Sequence, residues 1–273
     1  MFNILVLQIE DRTDNDFLNE NMELNKKICS ENDMQYKFLT KSLDNVPPYW
    51  AKVFDIDRII NNPNNSTIDY VFWIDSDAFF INFNKNRLND FLSKYSEYSM
   101  IITKDPPPWK MQFNAGCFIV KNDSYSRQIF SYWKSLYNSN NWRIEDNKWK
   151  TDKQYAGDDY EQGAFATNIL TKKEYSQHIK VVPYYILNNI SCTENTSETI
   201  VSHLAGHYKN DMVLEADCKQ IKYNNNNNKF YLWYFLLGLV LVFVLLLFLS
   251  FFMFYNKKMR KYFYKFCVVS KKK

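Results

Sequence analysis

Two carboxylates stand one residue apart at the end of a strand-forming run, Tyr70-Val71-Phe72-Trp73-Ile74-Asp75-Ser76-Asp77. Apolar, β-favouring residues lead in over a length that suits a buried strand. In an open α/β sheet, ligands bind at the carboxyl ends of strands. Two acidic side chains there can hold a divalent cation, and a cation can hold a diphosphate. Asp-x-Asp occurs three times in the chain, and context separates the copies. Asp14 and Asp16 lie in a polar stretch with no strand before it. Asp55 and Asp57 lie among Val53, Phe54, Ile56, Ile59 and Ile60, which recur at helical spacing, so those acids are expected on a solvated helix face. Asp75 and Asp77 follow the buried-strand run and are the candidate ligands; a structural turn is the plainer alternative.

The elements that must position these acids can be read from periodicity and punctuation. Phe2–Gln8 reads as a first strand, Asp16–Asn32 as a helix ending near Cys29, and Gln35–Leu39 as a short strand. Pro47 and Pro48 precede a helix over Tyr49–Asn61. After the strand Tyr70–Ile74 come a helix at Arg87–Lys94, a strand at Ser99–Thr103, a strand at Phe113–Val120 and a helix at Asp123–Leu136. Tyr160–Leu170 reads as a helix and Ile179–Val182 as a strand. Strands alternating with helices predict an α/β fold with a mostly parallel sheet covered on both faces.

The 273 residues carry a net charge of +4, unevenly spread. From Lys229 onward there are nine basic residues and no acids, which leaves 25 basic against 30 acidic residues in the body. The basic excess therefore belongs to the tail and gives the body no reason to bind nucleic acid. Five cysteines, at 29, 117, 192, 218 and 267, have no CxxC pair, which excludes a zinc-ribbon pattern. Buried or free thiols are expected, with a Cys192–Cys218 bridge as the alternative. Phe230–Tyr255 is almost wholly apolar and free of charge, and about 20 such residues span a bilayer. The expected organisation is a catalytic domain over 1–222, an Asn-rich linker over 223–229, a transmembrane helix over 230–255 and a basic tail over 256–273. Two cues to orientation conflict. The N-terminus has no signal-peptide pattern, which leaves the domain in the cytosol. Lys257, Lys258, Arg260, Lys261 and Lys265 prefer the cytosolic side themselves, which puts the domain in a lumen.

Five short blocks occur in order: Tyr49-Trp50-Ala51-Lys52, Phe72-Trp73-Ile74-Asp75-Ser76-Asp77-Ala78, Asn114-Ala115-Gly116-Cys117-Phe118, Glu161-Gln162-Gly163-Ala164 and Ser202-His203-Leu204-Ala205-Gly206. With these blocks the chain resembles the GT-A glycosyltransferases of the galactosyl-, xylosyl- and mannosyltransferase family (family 34 of the glycosyltransferase classification). The resemblance implies a GT-A-type, Rossmann-like sheet flanked by helices. It implies transfer of a hexose or pentose from a UDP- or GDP-sugar to a glycan or protein acceptor, with Mn²⁺ or Mg²⁺ and with retention of anomeric configuration.

It also implies roles. His203 matches the late histidine that completes the family's metal shell beside Asp75 and Asp77, with His207 as fallback. Imidazole with two carboxylates suits Mn²⁺ better than Ca²⁺. Gln162 matches the active-site glutamine and Glu161 the acid beside it. The family often has Asp there, so the role of the longer Glu161 stays open between stabilising a cationic centre and binding the acceptor. Lys52 is implied as a donor-side contact, with a surface lysine as the alternative, and Lys209 as a displaced phosphate contact after Gly206. Asn114 could bind a sugar hydroxyl, or simply turn the chain before a core strand. Gly116 would let backbone approach a substrate. Residues Gln8–Arg12, beyond the first strand, lie where a nucleotide base is expected. Tyr49, Trp50, Trp73 and Trp109 could stack on sugars or fill the core. Two competitors are a non-catalytic, membrane-anchored glycan-binding relative and an aspartate-nucleophile phosphatase. The second expects its motif after the first strand and followed by Thr or Val, where this chain has Ala78-Phe79.

Overall fold

The computed structural model describes residues 1–12, 14–42, 44–81, 83–190 and 197–205, with Val240, Leu241, Phe243 and Leu247. In chain order its elements are β1 (Ile4–Ile9), α1 (Asp16–Glu31), β2 (Gln35–Leu39), α2 (Pro48–Asn61), β3 (Tyr70–Ile74), β4 (Ala78–Phe80), α3 (Lys85–Lys94) and β5 (Met100–Thr103). There follow β6 (Asn114–Lys121), α4 (Ser124–Ser135), β7 (Arg143–Glu145), β8 (Lys148–Lys150), α5 (Glu161–Asn168), α6 (Lys173–Ser176), β9 (Ile179–Val182), α7 (Tyr184–Leu187) and β10 (Val201–His203).

Six strands form one sheet in the order β2-β1-β3-β6-β5-β9. The pairs β1–β2, β1–β3 and β5–β9 are parallel, while β6 runs antiparallel to β3 and β5 on either side. The sheet is thus mixed rather than simply parallel. The reason is the β5–β6 connection, a loop over 104–113 with three consecutive prolines and no crossover helix. Without a crossover the next strand enters reversed.

Side chains alternate faces along each strand. Leu5, Leu7, Val71, Trp73, Phe118 and Val120 pack on one face with Trp50, Val53 and Ile56 of α2, Phe130 and Trp133 of α4 and Phe165 of α5. Ile4, Val6, Tyr70, Phe72, Ile74, Cys117 and Ile119 pack on the other with Cys29 of α1, Leu88 and Leu92 of α3 and Leu187 of α7. The result is a helix–sheet–helix sandwich. Pro48 opens α2 at its first turn, where a missing N–H costs nothing, and an Asp123–Ser126 capping box opens α4.

Three parts of the structure depart from the sequence expectation. Ala78–Phe80 and Val201–His203 pair with each other as a separate antiparallel ribbon. Asp55 is 1% exposed and bonds to Arg58, so it is a buried acid and not a solvated one, while Asp57 pairs with Lys134. The third departure is the membrane segment. No helix among the described residues is long and apolar enough to cross a membrane. A crossing takes about 20 consecutive apolar helical residues. Within 230–255 the described residues are the exposed, helical Val240, Leu241, Phe243 and Leu247, and the rest of that stretch lies outside them. The transmembrane helix, the membrane as partner and the single-pass localisation are therefore withdrawn. The chain divides into two compact units, Met1–Glu215 and Ala216–Lys273. Cys29 and Cys117 are buried free thiols, and the Cys192–Cys218 alternative lies outside the described residues.

Candidate metal centre

The chain moves from β1 to β2 on one side of β1 and returns to β3 on the other. That reversal makes the carboxyl ends of β1 and β3 the sheet's switch point, where a crevice is expected. Asp75, Ser76 and Asp77 follow β3 there. Asp75 N–H donates to the Gly116 carbonyl at 2.8 Å, and its own carbonyl accepts from Ala78 N–H at 3.0 Å and Gln8 Nε2 at 3.1 Å. Gln8 is wholly buried and also accepts from Tyr36 and Asn25, so it braces the turn instead of facing a ligand.

His203 reaches the acids because β10 lies against β4, with His203 opposite Ala78. Its ring nitrogen Nε2 is 3.1 Å from Asp77 Oδ1. Ligand atoms from Asp75, Asp77 and His203 all lie within 4.8 Å of one another. Asp77 and His203 are buried, while the Asp75 side chain is 30% exposed. The ring is fixed from behind: its Nδ1–H donates to Asn188 Oδ1. A neutral ring bonded in that way turns the Nε2 lone pair toward the Asp77 carboxylate. Two acceptors then face each other, an opposition that a ring proton or a cation relieves. A buried imidazole held by a carbonyl, next to two carboxylates, is the donor set of a divalent-cation site. The three residues fit such an ion.

Gly116 explains how the ring comes so close. A Cβ added there would lie 2.0 Å from His203 Cε1 and 2.5 Å from Nδ1. The approach that the absent side chain permits is therefore that of His203. Asn114 brackets the same glycine. Its Oδ1 accepts from Gly116 N–H at 2.8 Å and its Nδ2 donates to Asp105 Oδ1 at 2.7 Å.

Beside the triad runs a buried charge network. Lys52 extends from α2 and donates to Asp75 Oδ1 at 3.0 Å and to the Ala115 carbonyl at 3.0 Å, with Glu161 Oε1 at 3.5 Å. Its ammonium lies 5.1 Å from the Trp73 ring centre, and Trp73 Nε1 donates to Asp75 Oδ1 at 2.9 Å. Burial pulls the Lys52 pKa down, but Asp75 and Glu161 hold it above the ordinary lysine value. Lys52 is thus no surface lysine. Glu161, the first residue of α5, is buried, and its Oε2 has no hydrogen-bond partner among the described residues. Burial pushes its carboxyl up to about 7 against the pull of Lys52. Gln162 Oε1 accepts from Ala115 N–H at 3.0 Å, so Lys52 and Gln162 clamp one peptide of β6 from both sides. Indole N–H groups set the start of α5: Trp133 donates to the Glu161 carbonyl at 2.9 Å and Trp50 to the Asp159 carbonyl at 2.8 Å.

On the β1 side of the crevice, Glu10 is buried and accepts twice from the Arg12 guanidinium, at 2.8 and 2.7 Å, and once from Ser76 Oγ. Burial would raise its pKa, but the bonds from Arg12 and Ser76 bring it down to about 2. Arg12 is left pointing outward, the one cation among residues 8–12.

The structure thus gathers Asp75, Asp77, His203, Lys52, Asn114, Gly116, Glu161 and Gln162 around one end of the sheet. Gly206, Lys209 and His207 lie outside the described residues. Sequence reasoning passed over Asn188, Asp105 and the Glu10–Arg12 pair. Asn188 and Asp105 are polar residues in loops with no motif of their own, and only a neighbour's ring or amide reveals them.

No protein-family model matches this sequence, and no curated protein matches it. Solved structures do. A glycosyltransferase involved in the glycosylation of the major capsid of PBCV-1 is 17% identical, with a TM-score of 0.57 over 76% of this chain and 97% of that one. The glycosyltransferase GlyE of Streptococcus pneumoniae TIGR4 is 12% identical over 67% of this chain and 45% of that one, with a TM-score of 0.40. A197 from STIV is 11% identical over 67% and 82%, with a TM-score of 0.35. Of these three, the first is close enough to bear on the fold. The chain shares its α/β fold, a mixed sheet flanked by helices, with that glycosyltransferase, and the likeness is not specific to family 34.

Proposed function

We propose that this protein is a metal-dependent, retaining glycosyltransferase that moves a hexose or pentose from a UDP- or GDP-sugar to a glycan or protein acceptor. The observation that carries this reading is the convergence of Asp75, Asp77 and His203 within 4.8 Å at the switch point of a glycosyltransferase-like sheet. Asp75, Asp77 and His203 would hold Mn²⁺ or Mg²⁺, which when bound neutralises the charge on a departing diphosphate. Lys52 keeps a fixed positive charge beside Asp75 and orients that carboxylate. Arg12, gripped by Glu10, presents a second cation at the nucleotide end of the crevice. Gln162 fixes the Ala115 peptide, and with it the floor on which the transferred sugar would rest. Glu161, with one oxygen paired to Lys52 and the other without a hydrogen-bond partner among the described residues, would bind an acceptor hydroxyl or face a developing cationic centre. Asn114, together with Gly206 and Lys209, would complete the donor and acceptor contacts, while Gly116 serves the site by seating His203.

Titration calorimetry with UDP- and GDP-sugars, with and without Mn²⁺, tests the reading, followed by a donor-hydrolysis screen across common nucleotide sugars. Binding and hydrolysis that require Mn²⁺ in the native chain and disappear in Asp77→Ala are expected. Mn²⁺-dependent turnover that survives Asp77→Ala would sink the metal assignment. Sugar-nucleotide binding without turnover would favour the non-catalytic, glycan-binding relative.

A further inference from the structure

The aromatic residues nearest the charge network divide into two kinds. Trp50 and Trp73 are buried, and their N–H groups serve the Asp159 carbonyl and the Asp75 carboxylate. Tyr155 is different. It is 69% exposed, and its hydroxyl has no hydrogen-bond partner among the described residues. Its ring lies against Tyr160, the residue before Glu161, and against Tyr49, which precedes Lys52 in α2, so it sits on the Glu161 side of the charge network.

The ring is also held in place. It meets Tyr49 at 5.9 Å and 69° and Tyr160 at 5.1 Å and 65°, and those two rings meet each other and Trp142. The next residue, Ala156, has φ 61°, a left-handed conformation that costs a residue with a Cβ about 1 kcal/mol. Gly163 of α5 packs onto that turn so tightly that a Cβ would lie 2.1 Å from the Gly157 carbonyl oxygen and 2.4 Å from that of Ala156. A strained turn locked against the helix that carries Glu161 therefore presents an open aromatic ring beside the start of that helix. Aromatic faces are electron-rich and attract groups of partial positive charge. The C–H face of a sugar ring is such a surface, and its hydroxyls can answer the free phenol.

We propose that Tyr155 is the stacking platform for the acceptor's sugar ring. This assignment rests on the transferase reading above. The probes are the methyl glycosides of glucose, galactose, mannose and xylose, titrated onto the full chain with Mn²⁺ and UDP or GDP and followed by saturation-transfer NMR. The tightest glycoside is expected to weaken about tenfold in Tyr155→Ala and to stay within about twofold in Tyr155→Phe, the range of one aromatic contact. Mn²⁺-dependent affinity for the nucleotide sugar should be the same in all three proteins. Glycoside affinity unchanged in Tyr155→Ala, or no glycoside binding to the native chain, overturns the proposal. So does a Tyr155→Ala variant that loses nucleotide-sugar affinity alone, since the ring would then serve the donor's sugar. Failure of the transferase reading shows elsewhere, as a native chain without Mn²⁺-dependent nucleotide-sugar binding.

Discussion

His203 can lie against Gly116 because residue 116 has no Cβ, and this makes Gly116 the sharpest single-residue test of the metal centre. In Gly116→Ala the new methyl would occupy the place of His203 Cε1, and the ring must swing away from Asp77. Displacing one of three ligands is expected to weaken Mn²⁺ binding by about 10–100-fold, the usual range for losing a ligand's support. Direct Mn²⁺ titration reads this, and unchanged affinity would remove His203 from the ligand set. Glu161 offers a second test at this scale. Its folded carboxyl keeps a proton up to about 7, whereas the unfolded group releases it near 4.5. Between those values the folded state binds more protons, so stability falls as pH rises through that window. At about 1.4 kcal/mol per pKa unit the full loss is roughly 3 kcal/mol. A glutamine does not titrate. Urea melts in EDTA should therefore show Glu161→Gln gaining about 3 kcal/mol on the native chain between pH 4.5 and 7. Parallel profiles would mean that Glu161 is ionised at lower pH.

At the scale of elements, the site depends on β4, and β4 depends on Asn25 of α1. The Asn25 amide donates to the Ala78 carbonyl at 3.0 Å and to Gln8 Oε1 at 3.2 Å, and accepts from Phe80 N–H at 2.9 Å. All of this is buried. Asn25→Leu would strip the amide from the Ala78 carbonyl and the Phe80 N–H, while Gln8 Oε1 keeps Tyr36, at a cost of about 3 kcal/mol, since each orphan costs about 1–3. Chemical denaturation measures the loss. A companion drop in Mn²⁺ affinity is expected, because β4 sets where Asp77 sits. A stable variant with native affinity would show that β10 alone holds the acids. The same element marks the limit of what the sequence discloses. Strands β1, β2, β3, β5, β6 and β9 and helices α1, α2, α4 and α5 could be read from apolar period and punctuation to within a residue or two at most ends. Ala78–Phe80 and Val201–His203 could not. Three residues are too few to show a period, and their pairing spans more than 120 positions of chain, so no local pattern announces it. His203 came from a resemblance and not from any strand signal. Asp55 was misplaced for a related reason: helical spacing gives the face of a residue, but not that Arg58 folds back to pair with it in a buried position.

Across the whole molecule, the sheet order and the reversed β6 were hidden in the sequence, because strand order is decided by connections and not by strand composition. What that order accomplishes is to bring residues 75 and 77 against residue 203. A cation held by all three would tie β3, β4 and β10 together, and the unfolded chain has no such site. Binding should therefore stabilise the entire Met1–Glu215 unit. At a Mn²⁺ concentration of 100 times Kd the gain is about 2.7 kcal/mol, which for a domain of this size raises Tm by about 5–10 °C. EDTA should reverse the shift, and Asp77→Ala and His203→Ala should each abolish it. Differential scanning calorimetry on the native chain and both variants makes the measurement. A shift of equal size in all three proteins would place the binding elsewhere on the acidic body. No shift in the native chain at millimolar Mn²⁺ would show that Asp75, Asp77 and His203 do not act as a site, and that their approach serves the Asp77–His203 contact alone.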